Sequence, residues 1–395
     1  MGHIRLGAAG SPGTVLSVGL SACSPGSGTS SKSVSPQSGA TPRPKYPAGL
    51  PTGGPPGHSK GGSAGGLPPG ARVANLPIAK TIATSDTSSS VVIDGSGPAI
   101  TCGKTPVITY RDVLYDTPTS GGKPVPLRLD LQVPKGARKK PLVVFITGGG
   151  FVLAQKSANL KQRTYVTEQG YVVASIDYRT ASNGATYKDA ISDVKSAIRY
   201  LRAYSDQYGI DPSKVAVWGQ SAGGYLAAMT GVTNALEQFE GDGNLGQSSV
   251  VQAVVDEFGP SDLSKVASDY DQATQKAKYL PGNSLAQFVF GAGTKLSIQD
   301  DPTAAAAASP LTYVSSSNPP FVLLHGSSDA LLSPSQTLIL HDALRAKAAE
   351  STRYVVEGAN HGELPFLGGD TTLLKQWSSQ QVMGVIVRFL QKHLG

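Results

Sequence analysis

Residues 214–228, KVAVWGQSAGGYLAA, join an apolar alternating run of strand type directly to a small-residue run of helix type. Gly219-Gln220-Ser221-Ala222-Gly223 lies at the junction and fits the pattern G-x-S-x-G. In that arrangement a sharp strand-to-helix turn lifts a serine hydroxyl clear of the backbone, and glycines flank it because a Cβ there would collide with neighbouring chain. The same pattern recurs at 57–61 and 61–65, but in a Pro/Gly tract with neither strand nor helix around it. Context therefore singles out Ser221.

Outward from this junction the chain alternates strand-like and helix-like runs. Apolar runs of the buried parallel kind stand at 141–147 and 171–178, and further strands are expected at 251–258, 321–325 and 353–356. Helical spacing marks 187–204, 335–346 and 382–393, and Asp211-Pro212 is expected to break the chain ahead of the 215–218 strand. Two earlier runs, 107–114 and 126–133, alternate apolar and polar residues as half-exposed antiparallel strands do. The pattern predicts an α/β fold: a mostly parallel twisted sheet with helices on both faces and an antiparallel edge. Residues 262–310 lack a clear strand and are expected to form a small cap over the C-terminal edge of the sheet, where such sheets keep their sites.

A serine is a weak nucleophile until a base takes its proton and a third group orients that base. Of the six histidines, His3 and His58 fall in the tail, His393 at the C-terminus, and His341 within a helical pattern. His361, in the glycine-flanked segment Glu357-Gly358-Ala359-Asn360-His361-Gly362 after the last strand, is placed to reach the top of the sheet; His325, ending an apolar strand, is the second candidate. Asp329 follows the preceding strand, with Asp262 as its rival, and the chain order becomes Ser221, Asp329, His361. The tetrahedral intermediate also needs donors for its oxyanion. Ala222 can offer a backbone N–H, and Gly149 and Gly150, after the 141–147 strand, can offer others.

The segments TGGGF (147–151), DYR (177–179), YGIDPSKVAVWGQSAGGYLAA (208–228), SPLTYVS (309–315), LLHGSSD (323–329) and GANHG (358–362) give the region from about residue 106 to the end a resemblance. It resembles an α/β-hydrolase of the bacterial esterase and lipase type related to hormone-sensitive lipase, and within that the feruloyl and acetyl-xylan esterase-like group. The resemblance implies the triad Ser221, Asp329 and His361 and an oxyanion hole of Gly149, Gly150 and Ala222. It also implies a histidine bracing the glycine loop where this chain has Thr147.

The expected activity is carboxylester hydrolysis through an acyl-enzyme, on short-chain acyl esters that are small molecules or linked to polysaccharide. An amide or formamide hydrolase and a serine peptidase share the triad order, and a non-catalytic envelope binding module is the alternative of another class. No HExxH, Walker loop or Cys/His cluster of zinc spacing is present, so no metal or cofactor is expected.

The first 105 residues carry eight Lys/Arg and two acids, and so hold nearly all of the net charge of +7. The remainder is close to neutral, which argues against nucleic acid as a partner. Residues 24–71 contain 12 Gly and 10 Pro, and the expected layout is a leader at 1–23, a disordered tether at 24–104 and the hydrolase domain at 105–395. Leu20-Ser21-Ala22-Cys23 is similar to the lipobox of bacterial lipoproteins, so export is expected, with Cys23 lipidated on the cell membrane or the protein secreted. A lipid at Cys23 is the only membrane attachment expected, and it would leave Cys102 without a disulfide partner.

Overall fold

Strands buried on both faces need apolar side chains at every position, and the continuous runs of the sequence supply them to the centre of one sheet. The computed structural model describes residues 77–136, 138–234, 236–362 and 373–395, together with the backbone of one further strand, Val15–Gly19. The sheet has ten strands. They are β1 (Val15–Gly19), β2 (Val91–Asp94), β3 (Val107–Asp116), β4 (Leu127–Pro134), β5 (Lys140–Ile146), β6 (Val172–Ile176), β7 (Ile210–Gln220), β8 (Ala253–Glu257), β9 (Phe321–Gly326) and β10 (Ser351–Glu357). Their spatial order is β1-β3-β4-β6-β5-β7-β8-β9-β10-β2. From β6 to β2 every neighbouring pair is parallel, and β4, β3 and β1 extend the β6 edge antiparallel.

Alternation along each central strand divides the core in two. Leu142, Val144, Ile146, Val215, Val217 and Leu323 point to one face, where α2 (Tyr187–Ala203), α3 (Ala222–Val232) and α7 (Ser335–Ala346) pack. Val143, Phe145, Ala216, Trp218, Val255 and Leu324 point to the other, covered by α1 (Leu160–Glu168) and α8 (Gln380–Leu394). Between β8 and β9 the chain builds the expected cap from α4 (Gln272–Lys278), α5 (Ser284–Phe290) and α6 (Pro302–Ala307). Each of the three starts on an Asp or Asn whose side chain accepts a backbone N–H of the first turn.

The structure departs from the sequence reading at several points. Asp211 and Pro212 do not break the chain; they lie within β7, opposite Pro141, where the register shifts. α1 has no apolar stripe and buries Gln162, Arg163, Thr164 and Thr167, so its periodicity is silent. Val15–Gly19, inside the expected leader, is an edge strand antiparallel to β3. Of the expected tether, residues 24–76 lie outside the described residues, while residues 77–104 are part of the domain, not disordered chain.

Their attachment is polar and therefore poorly marked by composition. β2 pairs with β10 while Val91 and Val92 remain exposed, and only Ile93 of that strand turns inward. Ile100 is buried beside it in the core of the α8 face. The Arg353 guanidinium, fully buried, donates to the Asp86 carbonyl, Ser90 Oγ and Ser85 Oγ at 3.2, 2.8 and 3.2 Å. Cys102 is disulfide-bonded, whereas a lipid on Cys23 was expected to leave it without a partner; the other cysteine of the chain, Cys23, lies outside the described residues.

Ile100→Ala should lower unfolding stability by about 2–4 kcal/mol in urea titration, the cost of a cavity in a closed core. A residue in a disordered tether would change nothing, so an unaltered midpoint refutes the placement of this segment.

Candidate active site

β7 ends at Gln220 and α3 begins at Ala222, so one residue, Ser221, makes the whole turn. Its φ of 55° and ψ of −121° lie where a side chain is strained by roughly 1–3 kcal/mol. Two backbone bonds hold it there: Ser221 N–H donates to the Glu257 carbonyl at 2.9 Å, and Tyr225 N–H donates to the Ser221 carbonyl at 2.9 Å. The turn closes only because its flanks are bare. A Cβ on Gly219 would strike the Gly223 carbonyl, and one on Gly223 would strike the Ile146 carbonyl of β5.

The loops after β9 and β10 bring the other groups to this serine. His361 Nε2 is 2.8 Å from Ser221 Oγ, and His361 Nδ1 is 2.7 Å from Asp329 Oδ2. Because Asp329 can only accept, Nδ1 carries the proton and Nε2 presents a lone pair to the hydroxyl. Asn360 ties the two loops together, its Oδ1 accepting from Ala330 N–H at 3.1 Å and from His361 N–H at 2.7 Å. The Phe258 ring packs edge-on against the imidazole with centroids 4.8 Å apart.

Asp329 is fully buried. Burial works to raise its pKa, but the charge of His361 and the hydrogen bonds of His325 and His361 outweigh it and hold the carboxyl well below the usual range. Oδ1 accepts from the N–H groups of Leu331 and Leu332, each at 2.9 Å. The acid is therefore ionised and rotationally fixed.

Thus the structure brings Ser221, Asp329 and His361 together. Asp262, the rival acid, instead caps a short turn, accepting from Ser264 N–H at 3.1 Å and from Ser264 Oγ at 2.6 Å. His341 bonds Ser351 Oγ at 2.8 Å and His393 faces Glu350 at 3.4 Å, both away from the serine. Of the oxyanion candidates, Ala222 is the first residue of α3, where a helix leaves its N–H unpaired. The Gly149 carbonyl accepts from Val152 and Leu153 N–H at 3.1 Å, turning the glycine loop back on itself.

Gly148, which the sequence reading passed over, approaches the serine most directly: a Cβ there would lie 3.1 Å from Ser221 Cβ. The signal was the start of the glycine run. Thr147 braces that loop in place of a histidine, its Oγ1 accepting from Gln155 N–H at 3.1 Å and its carbonyl from Tyr178 OH at 2.9 Å.

The cap closes over the same corner. Phe288 of α5 stacks on Phe151, the residue after the glycine run, at 4.5 Å, and Tyr225 meets Phe151 edge-on at 5.4 Å. Tyr270 OH donates to the Asp329 carbonyl at 2.9 Å, and Lys278 Nζ donates to the Leu331 carbonyl at 2.7 Å.

Strand order, the strand-turn-helix elbow and the chain order serine, acid, histidine define an α/β-hydrolase. The chain matches the BD-FAE family over residues 129–344, more than half its length, and belongs to that family. Esterase LipC of Mycobacterium tuberculosis is 32% identical over 225 residues, 56% of this chain and 53% of LipC. The chain thus spans about half the length of this relative and of a probable isoprenylcysteine alpha-carbonyl methylesterase of Arabidopsis thaliana, 28% identical over 61% of this chain and 50% of the relative. Among solved structures, a truncated carbohydrate esterase from gut microbiota aligns over 72% of this chain and 95% of its own, with 25% identity and a TM-score of 0.58. A thermophilic esterase of Thermogutta terrifontis aligns over 71% and 90%, with 26% identity and a TM-score of 0.53. Structures of that esterase are described as propionate-bound and as phosphorylated by paraoxon.

One acid beneath the elbow has a measurable consequence. Asp256 is fully buried, accepts from Gly259 N–H at 2.8 Å, and leaves Oδ2 without a hydrogen bond among the described residues. Burial pushes its pKa up to about 7. A folded-state value above the unfolded one means stability that is present at low pH and lost as pH rises through about 7. Asp256→Asn should therefore raise the denaturation midpoint at pH 8 and leave it nearly unchanged at pH 4. Equal effects at both pH values would refute a neutral Asp256.

Proposed function

We propose that this chain is a serine carboxylester hydrolase, with Ser221 as nucleophile, His361 as general base and then acid, and Asp329 as the group that orients the imidazole. The observation that carries this reading is the line of two short hydrogen bonds, 2.8 Å from Ser221 Oγ to His361 Nε2 and 2.7 Å from His361 Nδ1 to Asp329 Oδ2. Ser221 Oγ bonds to the acyl carbon as its proton passes to His361 Nε2, and the carbonyl electron pair moves to the oxyanion. Backbone N–H groups of Ala222 and of the Gly149-Gly150 loop receive that charge, with Gly148 setting how closely the loop lies against the serine. Collapse expels the alcohol, which takes the proton from His361. Water then adds to the acyl-enzyme by the same route and releases the acid. No metal or cofactor has a step in this scheme.

The substrates are short-chain acyl esters. Two features support this: the Phe151, Tyr225 and Phe288 cluster fills the corner beside the elbow, and the Thermogutta esterase of similar fold is described with propionate bound. The likeness to a carbohydrate esterase supports acetylated sugars as the physiological esters.

The protein acts outside the cytoplasm. The disulfide at Cys102 favours an oxidising compartment, and since the chain holds two cysteines it competes with a lipid on Cys23. Intact mass after reduction and alkylation separates the forms. Two alkylated cysteines are expected for the secreted protein, and one alkylated cysteine with an added diacylglyceryl mass would overturn that preference.

Hydrolysis of p-nitrophenyl esters from acetate to palmitate should peak at acetate to butyrate, and Ser221→Ala should lose at least about 10³-fold in kcat/KM. Paraoxon should inactivate the native protein with one phosphoryl group per chain and leave Ser221→Ala unmodified. A peak at palmitate would mean a lipase, and turnover independent of Ser221 would sink the mechanism.

A further inference from the structure

The Asp329 carboxylate serves two imidazoles. Besides His361, Oδ2 lies 3.1 Å from Nε2 of His325, the strand-end histidine that the sequence offered as a second candidate base. His325 Nε2 is also 3.2 Å from the Leu332 carbonyl. A carbonyl and an ionised carboxylate can only accept, so Nε2 must carry the proton. Nδ1 is then an acceptor, and Thr337 Oγ1, 3.1 Å away, must donate to it. The Thr337 hydroxyl has thereby spent its proton, and its lone pair faces Arg353 Nε at 3.0 Å, a group that can only donate. Every bond in the series from Arg353 through Thr337 and His325 to Asp329 runs in one sense. Arg353, Thr337, His325 and Asp329 are all fully buried.

We infer that His325 is a positioning residue of the site, which together with Thr337 and Arg353 fixes the Asp329 carboxylate independently of His361. This rests on the triad reading above and adds a residue to it. The physical need is plain. His361 must turn slightly between Ser221 and the leaving alcohol, so an acid held at Oδ2 by His361 alone would follow the base it is meant to orient. With His325 on Oδ2 and the Leu331 and Leu332 N–H groups on Oδ1, three donors outside the catalytic base define the plane of the carboxylate. The titratable and charged groups facing this pair are His361, Arg353 and, from the cap, Lys278 and Tyr270. Burial lowers the pKa of His325 and keeps it the neutral donor that the hydrogen-bond directions require.

The test uses the full chain with p-nitrophenyl acetate, comparing wild type with His325→Leu, His325→Gln, Thr337→Val and Ser221→Ala. His325→Leu should lose about tenfold or more in kcat with KM changed less than about twofold, since orientation fails while binding stays. Its acid limb in kcat/KM should move to higher pH, because a carboxylate relieved of one donor holds the His361 imidazolium more firmly. His325→Gln, whose amide can donate from about the position of Nε2, should recover most of both effects. If His325→Leu does not fold, Thr337→Val, which breaks the series one bond earlier, should show the same upward shift more weakly. The inference is overturned if the variants keep the wild-type kcat and pH profile while Ser221→Ala is inactive, or if Leu and Gln at 325 lose activity equally and only in step with their melting temperatures. Full activity in Ser221→Ala would instead bring down the triad reading itself.

Discussion

A carboxylate sealed from water must be surrounded by donors or it will not stay ionised, and the loops of this sheet edge are arranged around that requirement at Asp329. Its two oxygens collect donors from β9 through His325, from the residues that follow it, and from the loop after β10 through His361. The four donors come from three parts of the chain. Satisfying one buried charge therefore sets the spacing of two loops, and the position of His361 over Ser221 follows from that spacing. The cap joins the same scheme through the Asp329 carbonyl, which takes the Tyr270 hydroxyl.

The serine side of the site obeys a steric rule. β7 must turn into α3 with the helix pressed against β5, and the carbonyls of Ile146 and Gly223 leave no room for a side chain on Gly223 or Gly219. Ser221 takes a positive φ because it is the sole residue between the two elements. Strain of that kind persists only when the flanks are rigid, and here β7 and β8 are buried on both faces of the sheet. The hydroxyl is thus delivered at a fixed height, and the loops on the acid side need only meet it.

Features with a local cause were legible from sequence. The elbow is written in five consecutive residues, the double-faced strands in runs such as PLVVFIT, and the base in a glycine-flanked histidine after the last strand. Features whose cause lies elsewhere in the chain were not. β2 looks like tether because its strand has one inward residue and its anchorage depends on Arg353, some 260 positions away, reaching Ser85, Asp86 and Ser90. α1 hides because its buried face is polar: Gln162 reaches the Trp377 carbonyl and Thr164 accepts from Gln132. His325 looked like a candidate base because it ends a strand at the right edge. Only the hydrogen-bond directions around it show that it donates to the acid.

Three of the costly groups of this protein are gathered in one place. The positive φ of Ser221, the raised pKa of Asp256 and the buried charge of Asp329 all lie at the C-terminal ends of β7, β8 and β9. None improves packing, and a glycine at 221 would relieve the strain of the turn. What permits them is that the sheet beneath is apolar on both sides, with Trp218 and Phe145 in edge-on contact at 4.5 Å two to three residues below the elbow. The edge that carries the chemistry is also the edge that the cap and the arm beginning at residue 77 close over, the cap through Tyr270 and the arm through Ala79 N–H, which donates to the Ala330 carbonyl at 2.9 Å. Closure of this sort combines these polar contacts with an apolar cluster of Ala79, Ala267, Tyr270 and Ala330. It leaves the ionised acid and the neutral base to find their partners in the protein rather than in solvent, and that is the condition under which a serine can be made nucleophilic at neutral pH.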